Sequence, residues 1–281
     1  GIVNRVGMIV PNHLIEQATR QAYQAWPAGR FLIVTRNDLH GDARRRFAAR
    51  CATGDWDLVI MTHETFSSIP VPARVERQWL EDQLGELENY GRTVGHAGKR
   101  IAAAVRALQG KIERLRSAYN DPQAVMFSHL GLDYLIVDEA DKFRRLPVTT
   151  RAEGFSLGSS KRALDLFLKI AMLRRAHPDR PHACLMTGTP FTNTLAEGFV
   201  WQQMLAPDQL DRTGLGHFDA WAAQFVRYEV LIETSPDGAG FRSRRRPSVI
   251  QNVPELRVML AEFMSMVRAD SVGLARPEVR R

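Results

Sequence analysis

The chain has 281 residues, of which 44% are hydrophobic and 25% charged, with a formal net charge of +7. That is enough apolar material for one large domain or two small ones, and it excludes a disordered or fibrous chain. Its two cysteines, Cys51 and Cys184, lie too far apart to suggest a disulfide framework or a zinc site, and no apolar run reaches the roughly 20 residues that span a bilayer.

No membrane partner is expected, and a reducing cytoplasm fits the cysteine usage. The opening "GIVNRVGMIVPNHL" has neither the long apolar core nor the cleavage signature of a signal peptide. Basic clusters at 44–50, 144–145, 161–175 and 242–246 favour an anionic partner.

Five short apolar runs bounded by turn residues read as strands buried on both faces. The first is "GMIVPN" (7–12), followed by a helical pattern, "NHLIEQATRQAYQAW", with Leu14, Ala18, Ala22 and Ala25 on one side. "RFLIVTRN" (30–37), the helical "DARRRFAARCAT" and "DLVIMTHE" (57–64) come next. Residues 73–120 then interrupt the alternation. Trp79, Leu80, Leu84 and Leu87 make one helical stripe, and Ile101, Val105, Leu108, Ile112 and Leu115 make another, with Gly91, Gly95 and Gly98 between them. This spacing predicts an antiparallel helical hairpin inserted between two strands, either extra core or a grip on a ligand.

"DYLIVDEAD" (133–141) resumes the strands, "SSKRALDLFLKIAMLRRA" is helical through Leu164, Phe167, Leu168 and Leu173, and "ACLMTGTP" (183–190) is the fifth strand. From about 197 a mostly helical tail follows, anchored by Trp201, Phe218, Trp221 and Phe225. "SPDGAGFRSRRRP" (235–247) breaks it as a hairpin turn or a flexible basic loop. Alternating strand and helix predict an α/β fold, a parallel sheet wrapped on both faces by helices. In such sheets functional residues gather at the carboxyl ends of the strands.

"YLIVDEADKFRRL" (134–146) places Asp138, Glu139 and Asp141 at one of those ends. Metal-assisted phosphoryl transfer needs one carboxylate near Mg²⁺, usually through water, and another to orient or deprotonate the attacking water. Asp138 suits the first role and Glu139 the second; solvated acids at a strand end are the plainer alternative. At the next strand end, Thr187-Gly188-Thr189-Pro190 offers two hydroxyls and a flexible turn. Thr192 and Thr194 read as helix caps.

With these two blocks on the page, the chain resembles superfamily-two helicases of the Swi/Snf type. "IVDEADKFR" and "LMTGTPFTNTLAE" are similar to their second and third motifs, "MIVPNHLIEQ" to motif Ia, and "VIMTHETF" to the next nucleic-acid-contacting segment. The blocks keep the family's order across about 1–205, and the continuation most resembles helicase and adenine-methylase fusion proteins of plasmids and phages, the antirestriction type. The resemblance implies a RecA-like lobe that handles ATP and Mg²⁺ through Asp138 and Glu139, with Asp138 on the metal. It implies coupling to a second lobe through Asp141, and transmission of nucleotide state by Thr187, Thr189 and Asn193. It places Pro11, Asn12, His13, Thr62, His63 and Asn193 with DNA, along backbone phosphates, and it implies a bacterial or phage-derived cytoplasmic protein.

Some parts of such a motor do not occur. No Gly-x-x-x-x-Gly-Lys-Ser/Thr loop is present: "HAGKR" and "LQGKIE" have the wrong flanking residues and "SLGSSKRA" the wrong spacing. No second strand-rich lobe with an arginine at its edge follows 205, and "NDPQ" (120–123) is no methylase motif. The expectation is therefore a lobe incomplete at both ends: 1–205 as the first RecA-like lobe without its phosphate loop, with 73–120 inserted, and 206–281 as a helical, basic extension. Its partners would be DNA and the missing second lobe, and its ATPase alone weak or absent. The alternative is a DNA-binding or regulatory remnant without ATPase activity.

Overall fold

The structure, a computed structural model, describes residues 3–93, 99–117, 125–148, 150, 160–192, 194, 196–234 and 241–267. They form two compact units, one of residues 1–149 and 156–200, the other of 150–155 and 201–281.

The first unit is built on a five-stranded sheet of β1 (Val6–Val10), β2 (Phe31–Val34), β3 (Leu58–Thr62), β4 (Tyr134–Val137) and β5 (Ala183–Leu185), ordered β2-β3-β1-β4-β5. Every adjacent pair is parallel. The strands are short and rich in β-branched residues. Ile9, Val34, Val59, Ile60, Met61, Leu135 and Val137 are fully buried, as a sheet covered on both faces requires. Helices α1 (Ile15–Ala25), α2 (Gly41–Thr53) and α3 (His63–Ser68) follow β1, β2 and β3 in turn. This is the RecA-like α/β architecture expected from the alternation of strands and helices.

After α3 the chain makes α4 (Ala73–Thr93) and α5 (Lys99–Ser117), which pack on one another before β4 begins. Leu80, Leu87 and Ile112 are buried, and Arg116 reaches back to Glu81 at 3.3 Å. Trp79 meets Phe167 edge-on, so the hairpin packs on α6 (Lys161–Ala176). Ser160 caps α6, its hydroxyl accepting from the Ala163 N–H at 3.4 Å. Inside α6, Lys169 is fully buried. Its Nζ donates to Asp165 at 2.7 Å and to the Phe66 carbonyl at 2.6 Å, and lies 3.8 Å from the centre of the Phe66 ring.

Helix α7 (Glu197–Leu205) runs from the first unit into the second, which continues with α8 (Pro207–Arg212), α9 (Phe218–Phe225) and α10 (Val253–Ala261). Its core is aromatic, with Phe218, Trp221 and Phe225 nearly inaccessible. A buried polar chain threads it: Trp221 Nε1 donates to Gln202 at 2.7 Å, Gln202 to Gln209 at 3.1 Å, and Gln209 to the Met259 carbonyl at 2.9 Å. Two antiparallel strands, β6 (Val226–Thr234) and β7 (Phe241–Ile250), lie between α9 and α10. The basic run 242–246, read from sequence as turn or loop, is thus strand, because the apolar and β-branched residues of β6 offer it a partner ladder.

Candidate functional site

The parallel register brings the carboxyl ends of β3, β1, β4 and β5 to one edge. Ile9 is level with Met61 on one side and Val137 on the other, and Val137 is level with Leu185. The residues that follow each strand, 11–13, 62–63, 138–139 and 186–189, therefore share that edge. Of the expected site residues only Asn193 lies outside the described residues.

The acidic turn is held by its neighbours through backbone bonds. The Asp138 N–H donates to the Ile9 carbonyl at 2.8 Å, and the Ala140 N–H donates to the Met186 carbonyl at 2.8 Å. Met186 returns the bond, donating to the Val137 carbonyl at 2.8 Å, so the acidic turn and the threonine turn are joined where β4 and β5 end. Between these ties Glu139 adopts φ 49° and ψ 49°, a left-handed conformation that is uncommon for a residue with a side chain. Strain of this kind persists only where the surroundings over-determine it, and it concentrates at functional sites. Glu139 is exposed and Asp138 half-buried. One Asp138 oxygen, Oδ1, accepts from the Glu139 N–H at 3.0 Å.

The threonine turn is closed on itself. Thr187 Oγ1 accepts from the Thr189 N–H at 3.1 Å, with Thr187 half-buried and Thr189 exposed. At the end of β1, Pro11 is buried while Asn12 and His13 are exposed in a short 3-10 helix, Asn12–Leu14. At the end of β3, Thr62 caps α3 by accepting from the Thr65 N–H at 3.1 Å.

His63 does not point outward. It is 5% exposed, its ring meets Phe143 edge-on at 5.1 Å, and its Nε2 lies 2.8 Å from the Asp138 carbonyl oxygen. A carbonyl can only accept, so Nε2 carries the hydrogen. Burial holds the imidazole below its ordinary pKa despite that bond, which leaves it neutral at pH 7.

Asp141 faces inward. It pairs with Arg144 at 3.3 Å, and Arg144 lies 3.1 Å from Glu197. Glu197 in turn accepts from the Thr192 N–H at 2.7 Å, which ties the segment after the acidic turn to the segment after the threonine turn. Arg144 belongs to the basic cluster 144–145 expected to favour an anionic partner, but its side chain is only 14% exposed and is spent inside this network. Glu197 escaped notice as well, and the one signal for it was an acid just inside the start of a predicted helix. Lys169, also buried, lies on the apolar face of α6 and gave no sequence signal beyond its place there.

Among the described residues no group of three or more His, Cys, Asp or Glu could hold a metal ion by itself. Asp138 and Glu139, half-buried and exposed at the end of β4, are carboxylates of the kind Mg²⁺ takes one or two of, together with waters and substrate phosphates. A family model described as a probable helicase domain matches residues 2–267. The chain belongs to that family. No curated protein matches it. Membership suggests a helicase-related function, with a nucleotide and a nucleic acid as its partners. Among the described residues no helix is long and apolar enough to cross a membrane.

Proposed function

We propose that this helicase domain is part of an ATP-dependent DNA translocase of the Swi/Snf type, and that the sheet edge is where nucleotide and DNA meet. The observation that supports it best is the joining of the Asp138-Glu139 turn to the Thr187–Thr189 turn through Met186, with Glu139 held left-handed. Mg²⁺–ATP, when bound, supplies the phosphoryl group and the cation that neutralises developing charge. Asp138 would hold that cation, and Glu139, exposed at the turn, would orient the attacking water and take its proton. Thr187 and Thr189 would sense the nucleotide through a turn that is one backbone bond away from the acids, and Asn193 is assigned the same role. Asp141, tied through Arg144 to Glu197, stiffens the segment that carries coupling to a second lobe. Pro11, Asn12, His13, Thr62 and His63 form the DNA side of the edge. Asn12 and His13 reach phosphates directly, while Pro11 and His63 set the backbone behind them. Such contacts position DNA without reading its sequence.

Residues 1–281 hold no Gly-x-x-x-x-Gly-Lys-Ser/Thr loop to cradle the phosphates, so by themselves they turn over ATP weakly or not at all. Fluorescence anisotropy with a labelled duplex, at increasing salt and with or without Mg²⁺–ATP, tests the proposal. Salt-sensitive binding that responds to Mg²⁺–ATP in the wild type and not in Glu139→Gln supports a motor lobe. Binding indifferent to nucleotide points to a DNA-binding or regulatory protein, and the absence of DNA binding removes the proposal.

A further inference from the structure

We propose that His63 is a positioning residue for Glu139, holding the peptide unit that sets the direction of the water-orienting carboxylate. This deepens the reading above and rests on it for the role of Glu139.

The peptide between Asp138 and Glu139 is clamped at both of its polar atoms. Its oxygen accepts from His63 Nε2 at 2.8 Å, and its nitrogen donates to Asp138 Oδ1 at 3.0 Å. A peptide unit is planar, so fixing both atoms fixes its rotation, and that rotation determines φ at Glu139. The value found, 49°, is a strained one for a residue with a side chain. Left to itself the turn would relax by rotating this peptide. The clamp on the nitrogen is local, made by a side chain one residue away. The clamp on the oxygen is the long-range one, spanning 75 residues from a different strand end.

His63 can hold that oxygen because it is itself held. Its ring is packed on Phe143. It begins α3, whose start is capped by Thr62 and whose Phe66 carbonyl receives Lys169 Nζ at 2.6 Å. Helix α3 is therefore fixed at both ends, and the imidazole projects from a rigid mount. Thr62, next to it in the chain, belongs to the segment assigned to DNA.

The test uses the whole chain by nuclear magnetic resonance, with His63→Leu, which fills the space without a donor, and His63→Gln, which can place an N–H near the position of Nε2. Without nucleotide or DNA, the Glu139 amide shift and its coupling between amide and α hydrogens report the backbone conformation. Both are expected to move away from left-handed values in His63→Leu and to be restored in His63→Gln. A folded His63→Leu protein whose Glu139 signals match the wild type overturns the inference. If the leucine variant does not fold, His63→Asn, too short to reach the carbonyl, is read by the same two outcomes. Line broadening by Mn²⁺–ATP then reads function: loss at Asp138 and Glu139 in the leucine variant, with rescue by glutamine, is a response that general loosening does not produce. Absence of broadening in the wild type counts against the metal role of Asp138 alone, while the Glu139 signals still decide on His63.

Discussion

At the amino ends of the strands, in sheet order, stand Arg30, Asp57, Arg5, Asp133 and Arg180, alternating in sign across the edge. The Arg30 N–H donates to Asp57 at 2.8 Å, the N–H groups of Asn4 and Arg5 donate to Asp133 at 2.8 and 2.9 Å, and Arg180 pairs with Asp133 at 3.0 Å. Arg5 also reaches the carbonyls of Cys51 and Gly54 at 2.6 and 2.8 Å. At the carboxyl ends of the same strands the polar residues are spent differently. Asn12, His13, Glu139 and Thr189 are exposed, and one of them is held in a strained backbone. Both edges are polar, but the first satisfies its charges within the fold, whereas the second directs polar groups to solvent from a rigid base. Charge at a strand end is therefore not in itself a sign of function; what separates the edges is where the bonding capacity goes.

The largest effect expected is away from the carboxyl edge altogether. Lys169→Met removes one partner of a buried ion pair and leaves Asp165 uncompensated, which costs about 3–5 kcal/mol. Denaturant titration measures it, and replacing both partners by apolar residues should recover most of the loss. The pair also gives the fold a pH dependence. Burial, the largest cause, raises Asp165 from 3.8 to about 6 and lowers Lys169 from 10.5 to about 8. Between 3.8 and about 6 the folded protein binds the additional proton, so this group's contribution to stability falls as pH rises. Between about 8 and 10.5 the unfolded chain binds it instead, and stability rises with pH. Both slopes should vanish in the doubly apolar variant.

At the amino edge, Asp133→Ala strips an acceptor from two N–H groups and a partner from Arg180, costing roughly 2–3 kcal/mol. Affinity for duplex DNA should not change once the protein is folded. At the carboxyl edge the pattern reverses. Asn12→Ala leaves stability within about 0.5 kcal/mol of wild type, since exposed substitutions away from special features rarely do more. It should weaken duplex binding several-fold in the anisotropy assay. Equal effects of Asp133→Ala and Asn12→Ala on DNA binding would erase the distinction between the two edges.

Much of this was legible in the sequence. The five apolar runs pointed to the parallel sheet, and the rule that such sheets work at their carboxyl ends put 11–13, 35–37, 62–64, 138–139 and 187–190 on one edge, because each run ends in polar or turn residues. The lacing of the amino edge was not legible, although Arg30, Asp57, Arg5 and Asp133 each stand directly before a strand. Which acid meets which arginine depends on the strand order, and order is a property of packing. The same holds for Arg144 with Glu197 and for Lys169 with Phe66, pairs 53 and 103 residues apart. The orientation of His63 was hidden for a related reason, since the first residue of a helix after a strand can face either way until the neighbouring strand is placed.

One expected change in stability has the opposite sign. Glu139 sits at φ 49°, where glycine meets no steric penalty. Glu139→Gly should therefore stabilise the protein, by about 0.5–1 kcal/mol once the greater flexibility of the unfolded glycine chain is set against the relieved strain. At the amino edge no substitution of Arg5 or Asp133 should do so, because every bond there contributes to folding. A gain in melting temperature together with loss of the response to Mg²⁺–ATP marks a position where stability is given up for the direction of a carboxylate. A loss of stability would mean that the Glu139 side chain makes up for its own backbone strain, and the carboxyl edge would then be a structural edge like the other.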